Sequence, residues 1–407
     1  METAGISMLK NSVNSLVVSS NDSIEFKLVR QLADISDDRC SFKPVMSHQV
    51  FGDRESIFGY QDLKIQLYYS AARLTTYFGI TYTDKVTPDK FEGIEADEIF
   101  DKISEKLQPG FYTNLDDFCS HLEKDVNFVP FGELQHSFAT DDGNRSWEIY
   151  MCEVTTPGFL TYHERLQTFV LWFIDAASFI DSDDDHWRFF LIYEKYYVDG
   201  NMCYAIAGYA TVYEYYAYPD NIRPRISQML VLPPFQRFGL GAQLLDNIYR
   251  HYIKQLRVTD ITVEDPSDDF QRLRDFLDAR NCGKLPSFQP RMLEEGFQDE
   301  MVAEAKAKLK INKKQARRVY EILRLQMTDI HNSEQYRRYR LDVKNRLNVP
   351  YQKEQQELKR YKERLKDATL QAALSFADSS QRLESLEREY REVEGQYQQV
   401  LQRLASL

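Results

Sequence analysis

The chain has 407 residues, 43% of them hydrophobic and 28% charged, with a formal net charge of −12. That is material for two or three packed domains and excludes disorder or a collagen-like fibre over most of the length. Residues 301–407 carry 23 Lys/Arg against 15 Asp/Glu, a surplus of +8, which leaves −20 on the first 300; an acidic body argues against nucleic acid as the primary ligand and suits a basic partner. No apolar run is long enough to cross a membrane, and the N-terminus lacks a signal-peptide core. Five scattered cysteines (Cys40, Cys119, Cys152, Cys203, Cys282) without a CxxC pair read as a reducing compartment with no disulfide framework and no cysteine zinc site.

Residues 1–23 are Ser/Asn-rich and read as a flexible terminus. Residues 24–130 read as a small α+β domain: Leu63, Ile65, Leu67 and Tyr69 alternate with polar neighbours in a half-buried strand, and a short helix is predicted near 114–124. Leu166, Phe169, Val170 and Phe173 predict a buried helix over 160–180, which would carry Asp175. From 187 the order is strand, strand, strand, helix, strand, helix, an α/β arrangement, and residues 131–280 read as a second domain built on it. The turn Asp199-Gly200-Asn201 joins the first two strands, and Ser267 is placed to cap the last helix. Gly283, Pro286 and Pro290 suggest a linker, followed by a helical domain to 345. Over 346–407 apolar residues recur first at Leu358, Tyr361, Leu365 and Ala368. They then run from Leu383 through Leu386, Tyr390, Val393, Tyr397, Val400 and Leu404 to Leu407 in steps of three and four, the seam of a coiled coil.

The segment Gln236-Arg237-Phe238-Gly239-Leu240-Gly241-Ala242 joins an apolar strand to an amphipathic helix. Two glycines permit close approach of a ligand to the backbone, and a helix start offers free N–H groups and a positive dipole end to a pyrophosphate. The segment lacks the Lys-Ser/Thr of a kinase-type P-loop and the third glycine of a dinucleotide fingerprint, since Leu244 stands there. The pattern Q-x-x-G-x-G/A in this position resembles the acetyl-coenzyme A loop of the GNAT acetyltransferase superfamily. HQVFGDRESIFGY, YHERLQTF, RPRISQML, DITVEDPS and INKKQARRVYEILRL narrow the resemblance to the type B histone acetyltransferases, over about residues 24–345.

The resemblance implies a catalytic base at Glu264, with Asp265 beside it and Asp175 where the family usually has Glu. It implies acetyl-coenzyme A contacts at Met229, Leu230, Val231, Gln236, Arg237, Phe238, Gly239, Leu240, Gly241, Ser267 and Phe276. It further implies contacts to a basic histone tail at Asp53, Glu55, Trp187, Tyr213, Glu214 and Tyr215. No metal is implied. His163-Glu164-Arg165-Leu166-Gln167 lacks the second His of a zinc protease, and the loop Asp181–Asp185 lacks the Gly and the terminal Glu of a calcium loop. The basic residues Lys310, Lys313, Lys314, Arg317 and Arg318 fit either an import signal or the polar face of a helix. The expected function is acetyl transfer to lysines of newly made histone H-four by direct attack in a ternary complex, before chromatin assembly. A WD-repeat histone-binding partner and residence in nucleus and cytoplasm are implied too. The alternatives are a GNAT enzyme for another amine and a non-catalytic histone carrier.

Overall fold

The computed structural model describes residues 16–89, 93–140, 143–364 and 379–406. Two compact units emerge, one formed by the chain up to Tyr216 with Pro224–Ile248, the other by Ala217–Arg223 with Tyr249 onward. This division runs through the expected 131–280 block.

In the first unit, strands β1 (Ile24–Val29), β2 (Ser41–Phe42), β3 (Lys64–Ser70) and β4 (Thr76–Thr81) form a sheet in the order β2-β1-β3-β4. β1 and β3 run parallel and β3 and β4 antiparallel. The predicted strand is β3, with Ile65, Leu67 and Tyr69 fully buried. The short helix α1 (His48–Phe51) follows β2, and α2 (Leu115–His121) is the predicted helix, capped by the Asn114 side chain accepting from Asp116 and Asp117 N–H. Part of the expected loose terminus is ordered: Val17–Ser19 is a strand, and Ser20, fully buried, shares a 2.6 Å hydroxyl contact with Ser47. Residues 1–15 lie outside the described segments.

The single helix expected over 160–180 is broken into α3 (Phe159–Leu166), a 3-10 turn (Gln167–Phe169) and α4 (Val170–Phe173). Ile174 is already extended at φ −128° and Ala176 has φ +54°, so Asp175 sits on a loop beyond the helix. Packing decides this. Phe169, Trp172 and Phe173 converge on Phe26 with ring centroids 6.1, 5.7 and 5.6 Å away, and a regular helix continuing through 175 would have to leave that cluster.

A second sheet in this unit holds β5 (Glu133–Ala139), β6 (Ser146–Glu153), β7 (Trp187–Val198), β8 (Asn201–Ala217) and β9 (Asn221–Val231) in the order β9-β8-β7-β6-β5. The three strands read from sequence are β7, β8 and β9. β5 was not foreseen: in ELQHSFA Leu134, His136 and Phe138 alternate with Glu133, Gln135 and Ser137, but the alternation is short and Leu134 is itself exposed. Opposite Ile192 and Tyr193 of β7 the β8 partners are Gly208 and Ile206, so Ala207 is an extra residue, a bulge. Its carbonyl accepts from Leu232 N–H at 2.9 Å. A Cβ on Gly208 would lie 2.4 Å from the Leu230 carbonyl oxygen, so only glycine allows this approach of β8 to the end of β9.

His163 on α3 is 1% exposed among Phe159, Phe189 and Tyr209, neither ring nitrogen has a hydrogen-bond partner, and burial pushes its pKa down to about 3. The unfolded chain protonates it near 6.5, so between those values the unfolded state binds more protons. Stability is therefore expected to fall as pH drops from about 6.5 toward 3, by up to about 1.4 kcal/mol per pH unit. A His163→Phe variant should show a flatter acid limb in denaturant titrations at stepped pH. An unchanged limb would remove His163 from the acid response.

In the second unit the strand expected over 257–266 shrinks to β10 (Thr262–Val263). The preceding backbone is engaged elsewhere: Thr259 N–H donates to Ile222 C=O at 3.0 Å and Ile261 N–H to Lys310 C=O at 2.8 Å. Helix α5 (Leu240–Ile253) leads into this unit, and α6 (Asp268–Cys282) follows β10. The expected linker at 281–290 is packed rather than free, since Leu285 and Phe288 are buried around a 3-10 turn at Pro286–Phe288. Then come α7 (Asp299–Leu309), α8 (Lys313–Met327), α9 (Ser333–Arg364, running through Pro350) and α10 (Ser379–Ala405).

The described part of the expected coiled-coil tail is not free. α10 packs on α6, α8 and α9, burying Tyr390, Tyr397 and Val400 of the seam, while Leu383 stays 67% exposed. Glu321 of α8, fully buried, accepts from Tyr397 at 2.8 Å, Arg317 at 2.8 Å and Arg346 at 2.7 and 2.8 Å. Arg318 pairs with buried Asp275 at 2.8 Å and lies 5.1 Å over the Tyr397 ring. Arg317 and Arg318 are thus spent inside the fold. The apolar steps at Leu358, Tyr361, Leu365, Ala368 and Leu407 fall outside the residues whose side chains are described.

Candidate functional site

β9 delivers Met229, Leu230 and Val231 to a 3-10 turn (Pro233–Phe235) and then to the start of α5. Phe235 is buried edge-on against Trp147, centroids 5.9 Å apart, and Gln236 Nε2 donates to Val231 C=O at 3.0 Å, which fixes the loop at its base. Above it the backbone is left-handed at Arg237 (φ +69°) and Gly239 (φ +75°). A Cβ at Gly239 would meet nothing within 4 Å, so its glycine answers the backbone conformation and not crowding by protein. Among the described residues, no hydrogen bond engages the backbone N–H groups of Arg237, Phe238, Gly239, Leu240 or Gly241. Together with the α5 dipole they form a cradle that suits an oxyanion. Phe238 is 40% exposed, with the Arg145 guanidinium 4.4 Å from its ring; Leu240 faces the core. Gly208, which the sequence reading passed over, is what lets β8 approach the end of β9; a glycine inside an apolar strand was the available signal.

The predicted substrate residues fall in two places in the first unit. Trp187 and Tyr213 are a cross-strand pair with rings 5.0 Å apart, and Tyr215 stacks edge-on at 4.5 Å from Tyr213. Tyr213 Oη donates to Asp184 at 2.7 Å, and Tyr215 is 43% exposed. Glu214 is only 5% exposed and pairs with Arg188 at 3.2 Å, so its carboxylate is held within the sheet. Asp184, Asp185 and His186 have ligand atoms within 4.8 Å of one another and could face a cation. Asp184 already accepts from the His186 N–H, from Tyr213 and from the His186 ring, which hold its carboxyl down at about 2.

The second place is the turn after α1. Asp53 is exposed. Glu55, with φ +46°, turns inward: its carboxylate accepts from Ser47 N–H at 2.6 Å, His48 N–H at 3.1 Å and Asn21 Nδ2 at 2.9 Å. The Ser47 bond above all holds its carboxyl below the usual range, against a smaller cost of burial. Glu55 therefore builds the turn that presents Asp53. Asp175, three-quarters exposed, lies 3.2 Å from His48 Nε2.

In the second unit Glu264 and Asp265 are exposed directly after β10, and Asp265 has φ +29°. For a non-glycine residue this is a strained conformation of the kind stored at functional sites. β10 is anchored by the Arg274 guanidinium donating to Ile261 C=O at 3.1 Å. Ser267 caps α6, its hydroxyl accepting from Phe270 N–H at 3.3 Å. Phe276 is 3% exposed, with the Arg403 guanidinium of α10 4.2 Å over its ring. The C-terminal helix thus covers a residue expected to line the cofactor, a contact that local sequence could not reveal.

Three family models match the chain: "Histone acetyl transferase HAT1 N-terminus" over residues 16–175, "Acetyltransferase (GNAT) family" over 149–278 and "Histone acetyltransferase type B catalytic subunit, C-terminal" over 274–325. The chain is 48% identical over 391 residues to the human histone acetyltransferase type B catalytic subunit, covering 95% of this chain and 93% of that one. It is 47% identical to the rat protein with the same coverage. To the protein of that name from Mycosarcoma maydis it is 32% identical over 339 residues, 75% of each chain.

Proposed function

The chain belongs to the family of histone acetyltransferase type B catalytic subunits and is a GNAT acetyltransferase, and on that premise we propose that it acetylates lysines in the N-terminal tail of newly made histone H-four. The reading includes a role ahead of chromatin assembly, a WD-repeat histone-binding partner, and residence in both nucleus and cytoplasm. The observation that carries the cofactor side is the run of unengaged N–H groups from Arg237 to Gly241 at the head of α5. Acetyl-coenzyme A supplies the acetyl thioester. The cradle takes its pyrophosphate, and the β9 backbone at Met229, Leu230 and Val231 takes its arm.

The chain's own task is the proton. A lysine amine with reference pKa near 10.4 must lose its proton before it attacks, and at pH 7 that costs about 4.6 kcal/mol. Glu264, exposed beside the strained Asp265, is the proposed base; the neutral amine then attacks the thioester carbon directly in a ternary complex, without an acyl-enzyme. The C–S bond breaks as the amide forms, and coenzyme A leaves as its thiol. The acidic first 300 residues favour a basic peptide. Asp53 and the Trp187–Tyr213–Tyr215 cluster offer carboxylate and ring faces to Lys and Arg side chains.

Mass spectrometry of a core histone mixture incubated with this protein and acetyl-coenzyme A tests the reading. Acetyl groups concentrated on the H-four tail support it, and acetylation confined to other histones or to small amines overturns the substrate assignment. For the cradle, a Gly241→Glu variant is expected to lose measurable acetyl-coenzyme A binding by calorimetry, because its carboxylate enters the anion site. Parent-like affinity in the folded variant would exclude this loop.

A further inference from the structure

The segment around α1 is strapped to the loop that follows α4. Val45 and Met46 N–H both donate to Trp172 C=O, at 3.0 and 3.2 Å, and Gln49 Nε2 donates to Ala177 C=O at 2.8 Å. Between these ties lies His48, with Nε2 3.2 Å from Asp175 Oδ1 and Nδ1 3.8 Å from Glu55 Oε1. Its side chain is about one-third exposed, whereas that of Asp175 is 75% exposed on a loop bounded by extended Ile174 and left-handed Ala176. An aspartate so placed has free rotation about its side chain unless something holds it, and among the described residues the one polar contact recorded for its carboxylate is His48. Glu55 is fixed by three donors, so it is the rigid end of the row and Asp175 the mobile end.

We infer that His48 is a positioning residue that holds the Asp175 carboxylate toward the cationic side of the lysine substrate, tying it to the turn that carries Asp53. The inference deepens the proposed reading and rests on the place in the site that the resemblance implies for Asp175. With one oxygen facing the imidazole, Asp175 keeps the other for a substrate ammonium. The ring does no chemistry of its own. It replaces a search over side-chain rotamers by one orientation, the contribution expected of preorganisation. It also compensates for the short side chain at 175, since the carboxylate is carried by the strap instead of by reach.

The test is a double-mutant cycle on a histone H-four tail peptide at saturating acetyl-coenzyme A, with His48→Ala, Asp175→Asn and the double variant. Each single change is expected to lower kcat/KM about five- to thirty-fold, mainly through the peptide KM, with the acetyl-coenzyme A KM unmoved. The double variant should be no worse than Asp175→Asn alone, because His48 acts only through that carboxylate. His48→Gln, which keeps a side-chain N–H donor, should recover part of the loss with the same thermal midpoint as His48→Ala, which a merely structural role would not produce. Losses that multiply in the double variant, or a parent-like His48→Ala, overturn the inference. Glu264→Gln in the same assay reports the base assignment separately: its loss of turnover beside multiplying His48 and Asp175 effects sinks only the present inference, and its parent-like turnover beside a coupled pair sinks only the base.

Discussion

Glu264→Gln is expected to lower turnover on a histone tail peptide by roughly 10²–10⁴-fold near neutral pH, the usual contribution of a positioned general base. The substitution keeps the shape, but it removes the negative charge and the capacity to accept the proton. Glu264 stands at an exposed strand end, and the thermal midpoint of the variant shows whether the fold is kept. The binding of acetyl-coenzyme A should persist as well, because the cradle from Arg237 to Gly241 is built on a different segment. Part of the lost rate should return at high pH, where more of the substrate amine is already neutral. Stopped assays from pH 6.5 to 9.5, with calorimetric affinity for acetyl-coenzyme A alongside, would check this. Unchanged turnover at pH 7 with chemistry limiting would remove Glu264 from the mechanism.

Deleting residues 346–407 is expected to cripple the second unit. From the heptad pattern alone, this stretch reads as a dispensable coiled coil whose loss would spare catalysis. The packing argues the reverse. The deletion takes Arg346 and Tyr397 away from Glu321, leaving a fully buried carboxylate with Arg317 as its remaining charged partner. Breaking such a network costs about 3–5 kcal/mol, and uncovering the face that Tyr390 and Val400 fill adds to it. In a unit of this size that lowers the thermal midpoint by roughly 6–20 °C. Turnover should fall with it, because β10 is held by the Lys310 carbonyl and by Arg274 of α6, the helix on which α10 packs. Calorimetry of full-length and truncated protein gives the answer. A truncated chain with parent-like midpoint and peptide turnover would show that α10 is an appendage after all.

Much of the local structure around the candidate site was legible because it depends on neighbours in sequence. The segment from Gln236 to Ala242 lies between an apolar strand and an amphipathic helix, so the cradle at a helix start followed from spacing alone. Glu264 and Asp265 precede Pro266 and the capping Ser267, so a strand end followed by a helix start was readable there too. The resemblance added roles to those positions. It did not distinguish Glu214, buried and paired with Arg188, from Asp53, exposed on its turn, because both are acids in otherwise similar text.

Composition and charge asymmetry are sums over the chain, and strand alternation and the glycine turn at the head of α5 depend on residues close in sequence, so the sequence by itself determined them. The tertiary structure decided what depends on distant partners. It ended the helix at Phe173 because the aromatics around Phe26 claim that turn, and so put Asp175 on a loop beside His48, 127 residues earlier in the chain. It shortened the last strand to Thr262–Val263 because Lys310 and Ile222 take the neighbouring backbone groups. It also turned a heptad seam inward, since an apolar stripe specifies that a helix face must be covered but not by which partner, and here α6, α8 and α9 of the same chain cover it.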